Sequence, residues 1–293
     1  MAYARLIGRA VARRGREVTS NFTLQNEIRE MNTNTILLAV TVFAIGLSVN
    51  GVNAQSPNSQ NANSQNAVTD QVQPGETPLL SELLEAKAAA SAARAPEEVR
   101  QAYAQGIETV RATEIEKSAK QVGDAAIDAQ LSGWDGKSVK LSDLWQEGPI
   151  VLMWYRGGWC PYCNIQLRAM QQSMDRIEDA GARLVVLTPE LPEKAKETAE
   201  ANDLDIVALH DKGNAVARKY GLVFDLPEAI IPSYRDKLKL PEYNGNDVME
   251  LPLAATYVID KVGKITYAFL DADYKKRAEP SDVVKAVKAA AQP

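Results

Sequence analysis

The chain is predicted to fold as a mixed α/β sheet with helices on both faces, preceded by an N-terminal helical hairpin. Three observations predict it. Strand-like and helix-like patterns alternate from Gly123 onward, a two-strand signal flanks the turn Asp260-Lys261-Val262-Gly263, and a stretch rich in Ala, Glu, Leu and Arg lies upstream, split by Pro96. Four segments follow from composition: an N-terminal extension over 1–54, an Asn/Gln/Ser linker over 55–76, a helical hairpin over 77–120 and an α/β domain over 121–293.

Within 1–54, the mostly apolar run Ile36–Val49 is too short for a comfortable membrane span, which takes about 20 residues, but suits a signal-peptide core. It ends in Val52-Asn53-Ala54, a cleavage-like site before Gln55, so export to the periplasm or cell envelope is expected, with Met31 as the start. Arg5, Arg9, Arg13, Arg14 and Arg16 also fit an organellar transit peptide, and an uncleaved N-terminal anchor is the further alternative. The linker repeats Ser59-Gln60-Asn61-Ala62 as Ser64-Gln65-Asn66-Ala67 and has too few apolar residues to offset the entropy of ordering. The whole chain carries 33 Lys and Arg against 38 Asp and Glu, a net charge of -5, and loss of the basic extension leaves the rest more acidic still. That balance argues against nucleic acid and anionic membranes as partners.

In the hairpin, Thr77 is placed to cap and Pro78 to open the first helix. Val99, Tyr103, Ile107 and Val110 then recur at helical spacing on the second, giving an apolar face to pack on the downstream domain. Next come a strand over Ile150 to Tyr155 and a helix bearing Leu167, Met170, Met174 and Ile177, stopped by Gly181. Leu184 to Leu187 and Ile206 to Leu209 read as strands, while Pro192 to Asn202 and Asn214 to Tyr220 read as helices. Ala255 to Ile259 with Lys264 to Leu270 form a hairpin, and Ser281-Asp282 caps a last helix to about Ala291. Residues 222–252 break this rhythm with Pro227, Pro232, Pro241 and Pro252, and read either as a substrate surface or as a decorated loop.

The two cysteines stand three apart in Trp159-Cys160-Pro161-Tyr162-Cys163, after a strand and the pair Gly157-Gly158. A helix opening at Pro161 puts Cys160 at its N-terminus, where unpaired backbone N–H groups and the helix dipole favour a thiolate. Its pKa is then expected to fall from about 8.5 toward roughly 3.5 to 7.5, the range of reactive thiols. A purely structural disulfide gains little here, because closing a four-residue loop is worth only about 2 kcal/mol. Zinc normally takes four ligands, and His210, the sole histidine, is remote with no third cysteine, so no metal is expected. Two inert core cysteines remain open, as does a tethered binding module built on the leader and the 222–252 insertion. His210 reads as a structural residue at a strand end, with Asp211 placed to orient it.

With Tyr155-Arg156-Gly157-Gly158-Trp159-Cys160-Pro161-Tyr162-Cys163 on this strand-helix frame, the chain resembles the thioredoxin-fold superfamily. More narrowly, it resembles the peroxiredoxin-like branch of the alkyl hydroperoxide reductase/thiol-specific antioxidant family. Val122-Gly123-Asp124, the run from Asp135 to Leu144, and Ala255-Thr256-Tyr257-Val258-Ile259-Asp260 carry the resemblance further. It implies a thioredoxin-like sheet and Cys160 as the attacking thiol. It also implies Cys163 as the resolving partner, joined to Cys160 in a redox-active disulfide, and a cycle that needs no cofactor. The implied activity is reduction of hydrogen peroxide or organic hydroperoxides, recycled by thioredoxin or an envelope dithiol; exchange with protein disulfides is the alternative. The family's Pro and Thr/Ser before the first cysteine are replaced by Met153 and Gly157, and no arginine lies between Arg235 and Arg277 to match its second active-site arginine. Arg156 stands in as thiolate stabiliser, or else forms a surface ion pair or a stack on Trp159. Pro161 completes the set.

Overall fold

A computed structural model describes residues 79–291. The expectations for the extension, the linker, Thr77 and Pro78 lie outside the described residues. The leader consists of α1 (Leu80–Arg94), α2 (Glu97–Ala112) and a single turn, α3 (Ile115–Ser118), with Pro96 at the N-cap of α2 as its φ restriction requires. A small antiparallel ribbon, β1 (Gln130–Ser132) with β2 (Ser138–Lys140), leads into α4 (Leu141–Glu147) and β3 (Ile150–Trp154). Then come α5 (Pro161–Gln172), α6 (Met174–Asp179), β4 (Arg183–Thr188), α7 (Pro192–Ala201), β5 (Leu209–His210) and α8 (Ala215–Lys219). The chain continues through β6 (Val223–Asp225), α9 (Leu240–Asn244), β7 (Glu250–Pro252), β8 (Thr256–Ile259), β9 (Ile265–Phe269) and α10 (Pro280–Ala290).

The central sheet has the order β5-β4-β3-β8-β9. Its first three strands are parallel, while β8 runs antiparallel to both β3 and β9, so the sheet is mixed as predicted. β3 is the middle strand, and every residue in it is buried. Its period-two alternation divides the core: Ile150, Leu152 and Trp154 face one layer, Val151, Met153 and Tyr155 the other. The second layer packs α5 against Leu80 and Leu84 of α1 and against Val283, Val284 and Val287 of α10, and it contains both cysteines.

Several elements differ from expectation. The helix predicted to run unbroken to Gly181 divides at Ser173, which leaves Leu167, Met170 and Ile177 buried and Met174 half-buried. The strand expected over Ile206 to Leu209 is shorter and later, because β4 offers β5 only the pairs Leu187–Leu209 and Thr188–His210. The last helix opens at Pro280 with Glu279 at its N-cap, not at Ser281-Asp282, since a proline needs no N–H partner at that position. Glu279 instead accepts hydrogen bonds from the Leu80 and Ser81 N–H groups at 3.0 and 2.6 Å, so it caps α1. Residues 222–252 are ordered. β6 and β7 form a ribbon whose intervening turns bury Leu226, Ile230, Tyr234 and Leu240 in a third small cluster with Leu251. Asp211 does not orient His210: it accepts from Trp154 Nε1 and from the Val216 and Ala217 N–H groups, which caps α8.

Candidate active site

Beyond β3 the chain turns through Gly157 and Gly158 before entering α5. Gly157 has φ +152, and a Cβ there would lie 2.1 Å from the Trp159 indole nitrogen; at Gly158 it would lie 1.9 Å from Thr198 Oγ1. Only glycine permits both approaches. Cys160 follows as the N-cap residue with Pro161 at the first helical position, and its carbonyl accepts from the N–H groups of Cys163 and Asn164. Both cysteines are free thiols, Cys160 with 1% exposure and Cys163 with none.

No helix N–H group supplies a direct hydrogen bond to the Cys160 sulfur. Side chains supply it. Arg156 Nη2 lies 3.2 Å from Cys160 Sγ, and Arg277 Nη2 lies 3.6 Å from Cys163 Sγ. Burial by itself pushes the Cys160 thiol up, but a hydrogen bond from Cys163 and the charges of Arg156 and Arg277 outweigh it and hold the thiol well below the usual range. Cys163 moves the opposite way: burial raises it, and the neighbouring Cys160 sulfur raises it further. The two thiols are thus pushed apart, Cys160 toward the thiolate and Cys163 toward the protonated form.

Arg156 is 3% exposed, so it makes no surface ion pair. It both contacts the thiol and stacks, with its guanidinium 4.4 Å from the Tyr274 ring centroid and 5.3 Å from that of Trp159. Its Nη1 donates to Tyr234 OH at 3.3 Å, and Tyr234 in turn meets Trp159 edge-on at 5.3 Å between centroids. The bonds of the two buried guanidiniums go to sulfur, a phenol and a carbonyl, with no carboxylate among them.

A second polar cluster lies on the other side of the loop. Glu190, fully buried after β4, accepts from Tyr155 OH at 2.6 Å and from the Gly158 N–H at 2.6 Å, with Thr198 Oγ1 at 3.4 Å. Burial raises its carboxyl to about 7 despite these donors. A cavity of about 480 Å³ opens over Cys160 and Pro161, walled by α1 and α2 on one side and by Trp159, Tyr162, Tyr234 and Tyr274 on the other.

The structure thus brings together Cys160, Cys163, Arg156, Trp159 and Pro161. It adds Arg277, Tyr234, Tyr274 and Glu190, which no local sequence pattern singles out. Met153 is buried within β3 and Gly157 lacks a side chain, so neither supplies a hydroxyl; Tyr234 brings one instead, from the 222–252 segment. Arg277 enters from beyond β9, downstream of the strand before which the family's arginine is expected. Among the described residues, no group of three or more His, Cys, Asp or Glu is arranged to hold a metal ion.

This chain is 27% identical over 147 residues to the chloroplastic peroxiredoxin Q of Oryza sativa subsp. japonica, which covers 50% of this chain and 58% of that one. Against peroxiredoxin Bcp of Escherichia coli (strain K12) it is 28% identical over 102 residues, 35% of this chain and 65% of that one. The chain therefore spans less than two thirds of these curated relatives. Two similar solved structures are the peroxidoxin BcpB of Mycobacterium tuberculosis and a peroxiredoxin-like protein of Aquifex aeolicus. The first has a TM-score of 0.46 at 20% identity, covering 58% of this chain and 97% of that chain. The second has a TM-score of 0.47 at 20% identity, covering 58% and 88%. The model of the AhpC/TSA family matches residues 122–268, half of the sequence and the whole Arg156-to-Cys163 motif, and the chain belongs to that family.

Proposed function

We propose that the chain is a thiol peroxidase. The Cys160 thiolate attacks the terminal oxygen of a hydroperoxide; an S–O bond forms, the O–O bond breaks, and the alkoxide or hydroxide released takes a proton from solvent. Sulfur is oxidised to a sulfenic acid as the peroxide is reduced. Cys163 then attacks that sulfur, its thiol proton leaves with the hydroxyl as water, and a disulfide closes between residues one helical turn apart. A thioredoxin-type dithiol, or an envelope equivalent, reduces the disulfide and is itself oxidised. Arg156 and Tyr234 hold the peroxide oxygens beside Cys160 in the role that the missing threonine would otherwise fill.

The observation that carries this reading is the Arg156 contact to Cys160 Sγ at 3.2 Å on the floor of a cavity. Such a thiolate is open to a small molecule. Exposure of the two sulfurs is 1% and 0% in this dithiol state, so a small peroxide is the substrate that the closed site admits, whereas any protein partner, reductant or disulfide alike, reaches the sulfurs only after the site opens. Stopped-flow oxidation of the reduced protein tests the choice: a peroxide rate no faster than that of free cysteine refutes the peroxidase. A Cys163→Ser variant is expected to accumulate a sulfenic acid on Cys160 that dimedone traps.

The site of action we propose is the cell envelope. This rests on the Ile36–Val49 run and the Val52-Asn53-Ala54 signal, and mass spectrometry of the mature N-terminus tests it. No helix of the described residues is long and apolar enough to cross a membrane.

A further inference from the structure

We infer that the helical leader is the specificity wall of this site, and that the favoured substrate is a hydroperoxide carrying a bulky apolar group rather than hydrogen peroxide. The inference rests on the peroxidase reading above and deepens it. The leader, residues 80–118, precedes the stretch matched by the family model, which begins at 122. Yet α1 and α2 form one whole side of the cavity over Cys160, through Ala88, Ala92, Val99, Tyr103 and Ala104 among others.

Size decides against hydrogen peroxide as the shape the site is built for. A water molecule occupies about 30 Å³ of liquid, and a peroxide little more, whereas ligand pockets run from about 300 to 1,000 Å³. The cavity here is about 480 Å³. The cavity is a cleft that a ligand can enter from solvent, with Ala89, Ala92, Arg100 and Ala104 of its lining exposed. The leader keeps it open by presenting alanine along the face of α1 that looks toward Cys160. Polarity agrees: alanines, aromatic rings, Val99 and Ile107 dominate the lining, and among the described residues no Asp or Glu belongs to it. Among the described residues, the charged members of the lining are Arg156 beside the sulfur, Arg100 and Lys275. The reacting O–O bond would sit at Arg156 and Tyr234, with the apolar group between α1 and the aromatic side. Sulfur gains the terminal oxygen and the organic group leaves as an alcohol, the same balance as above.

Ala92 and Ala104 are both exposed residues that line the cavity, so tryptophan at either fills the space without disturbing the core. With the reduced full chain, second-order oxidation rates are measured for cumene hydroperoxide and for hydrogen peroxide. The unaltered protein is expected to favour cumene hydroperoxide by at least about tenfold, the scale on which apolar pockets discriminate. In Ala92→Trp and in Ala104→Trp that ratio should fall by a similar factor. Equal rates for both peroxides in the unaltered protein, or a tryptophan that slows both peroxides by one common factor, overturns the inference while leaving a peroxidase. No reaction with either peroxide overturns the peroxidase itself, and the inference with it.

Discussion

Tyr155 and Arg156 are consecutive residues, yet each enters a different buried polar cluster, and the two clusters handle charge in opposite ways. On the Arg156 side, two guanidiniums that bond no carboxylate among the described residues face two ionisable sulfurs, and the charge is kept: Cys160 is driven toward thiolate. On the Tyr155 side, Glu190 faces a phenol, an amide N–H and a hydroxyl, and the carboxyl is raised to about 7, so about half of the charge is given up at neutral pH. Buried charge persists where a countercharge meets it and is neutralised where only dipoles do. Hydrogen-bond number does not separate the two sides, since Glu190 is well supplied. The sign and ionisability of the neighbours do.

The largest effect is expected from breaking the cationic side. Arg156→Met keeps most of the bulk between Trp159 and Tyr274 but leaves Cys160 to Cys163 and the more distant Arg277. The Cys160 pKa should rise, and its peroxide rate should fall roughly 100- to 1000-fold, the cost of removing one charge-stabilising donor from an active site. Ultraviolet titration of the thiolate checks the first part. Finding Cys160 fully protonated at neutral pH in the unaltered protein would break the contrast altogether.

Glu190→Gln addresses the other side. The native state holds a proton on Glu190 up to about 7, whereas an ordinary glutamate releases it near 4.5. Between those values the native state binds more protons than the unfolded one, so stability falls as pH rises, by about 3 kcal/mol in all. Glutamine cannot release a proton, so this slope should vanish and the variant should be the more stable protein above pH 7. Urea unfolding across that range, in a background with both cysteines changed to serine so that no thiol titrates, measures it. A slope that survives the substitution assigns it to another group.

The smallest effect sharpens the comparison within the cationic side. Arg277 faces Cys163 and lowers its otherwise raised pKa. Arg277→Met should therefore raise the Cys163 thiol further and slow disulfide closure by about tenfold, while oxidation of Cys160 changes less. The readout is a longer-lived dimedone-reactive sulfenic acid. Equal slowing of both steps would show that the two arginines act as one charge.

How much of this is legible in the residues depends on chain separation. The β8–β9 hairpin, the Cys160 N-cap and the opening of α7 at Pro192 are set by local rules of turn, proline and period, and they lie where expected. Arg156 and Trp159 are adjacent enough to Cys160 to be read from the motif. Glu190, Tyr234 and Arg277 lie 32, 78 and 114 residues from the groups they bond, and no local pattern marks them. Tyr234 sits in a proline-broken segment whose order comes from packing its own small cluster, which periodicity does not report. The break at Ser173 escapes periodicity for a related reason, because both halves of the helix keep the same buried face across it.

The clasp between Glu279 and the start of α1 joins groups 199 residues apart. During synthesis, the leader emerges long before the carboxylate that fastens it. Domains generally fold as units, and contacts of such long range carry a large loop-closure cost. The roof of α1 over the thiol pair thus depends on the final stretch of the chain, and a chain cut short of Glu279 lacks the acceptor for the first N–H groups of that helix.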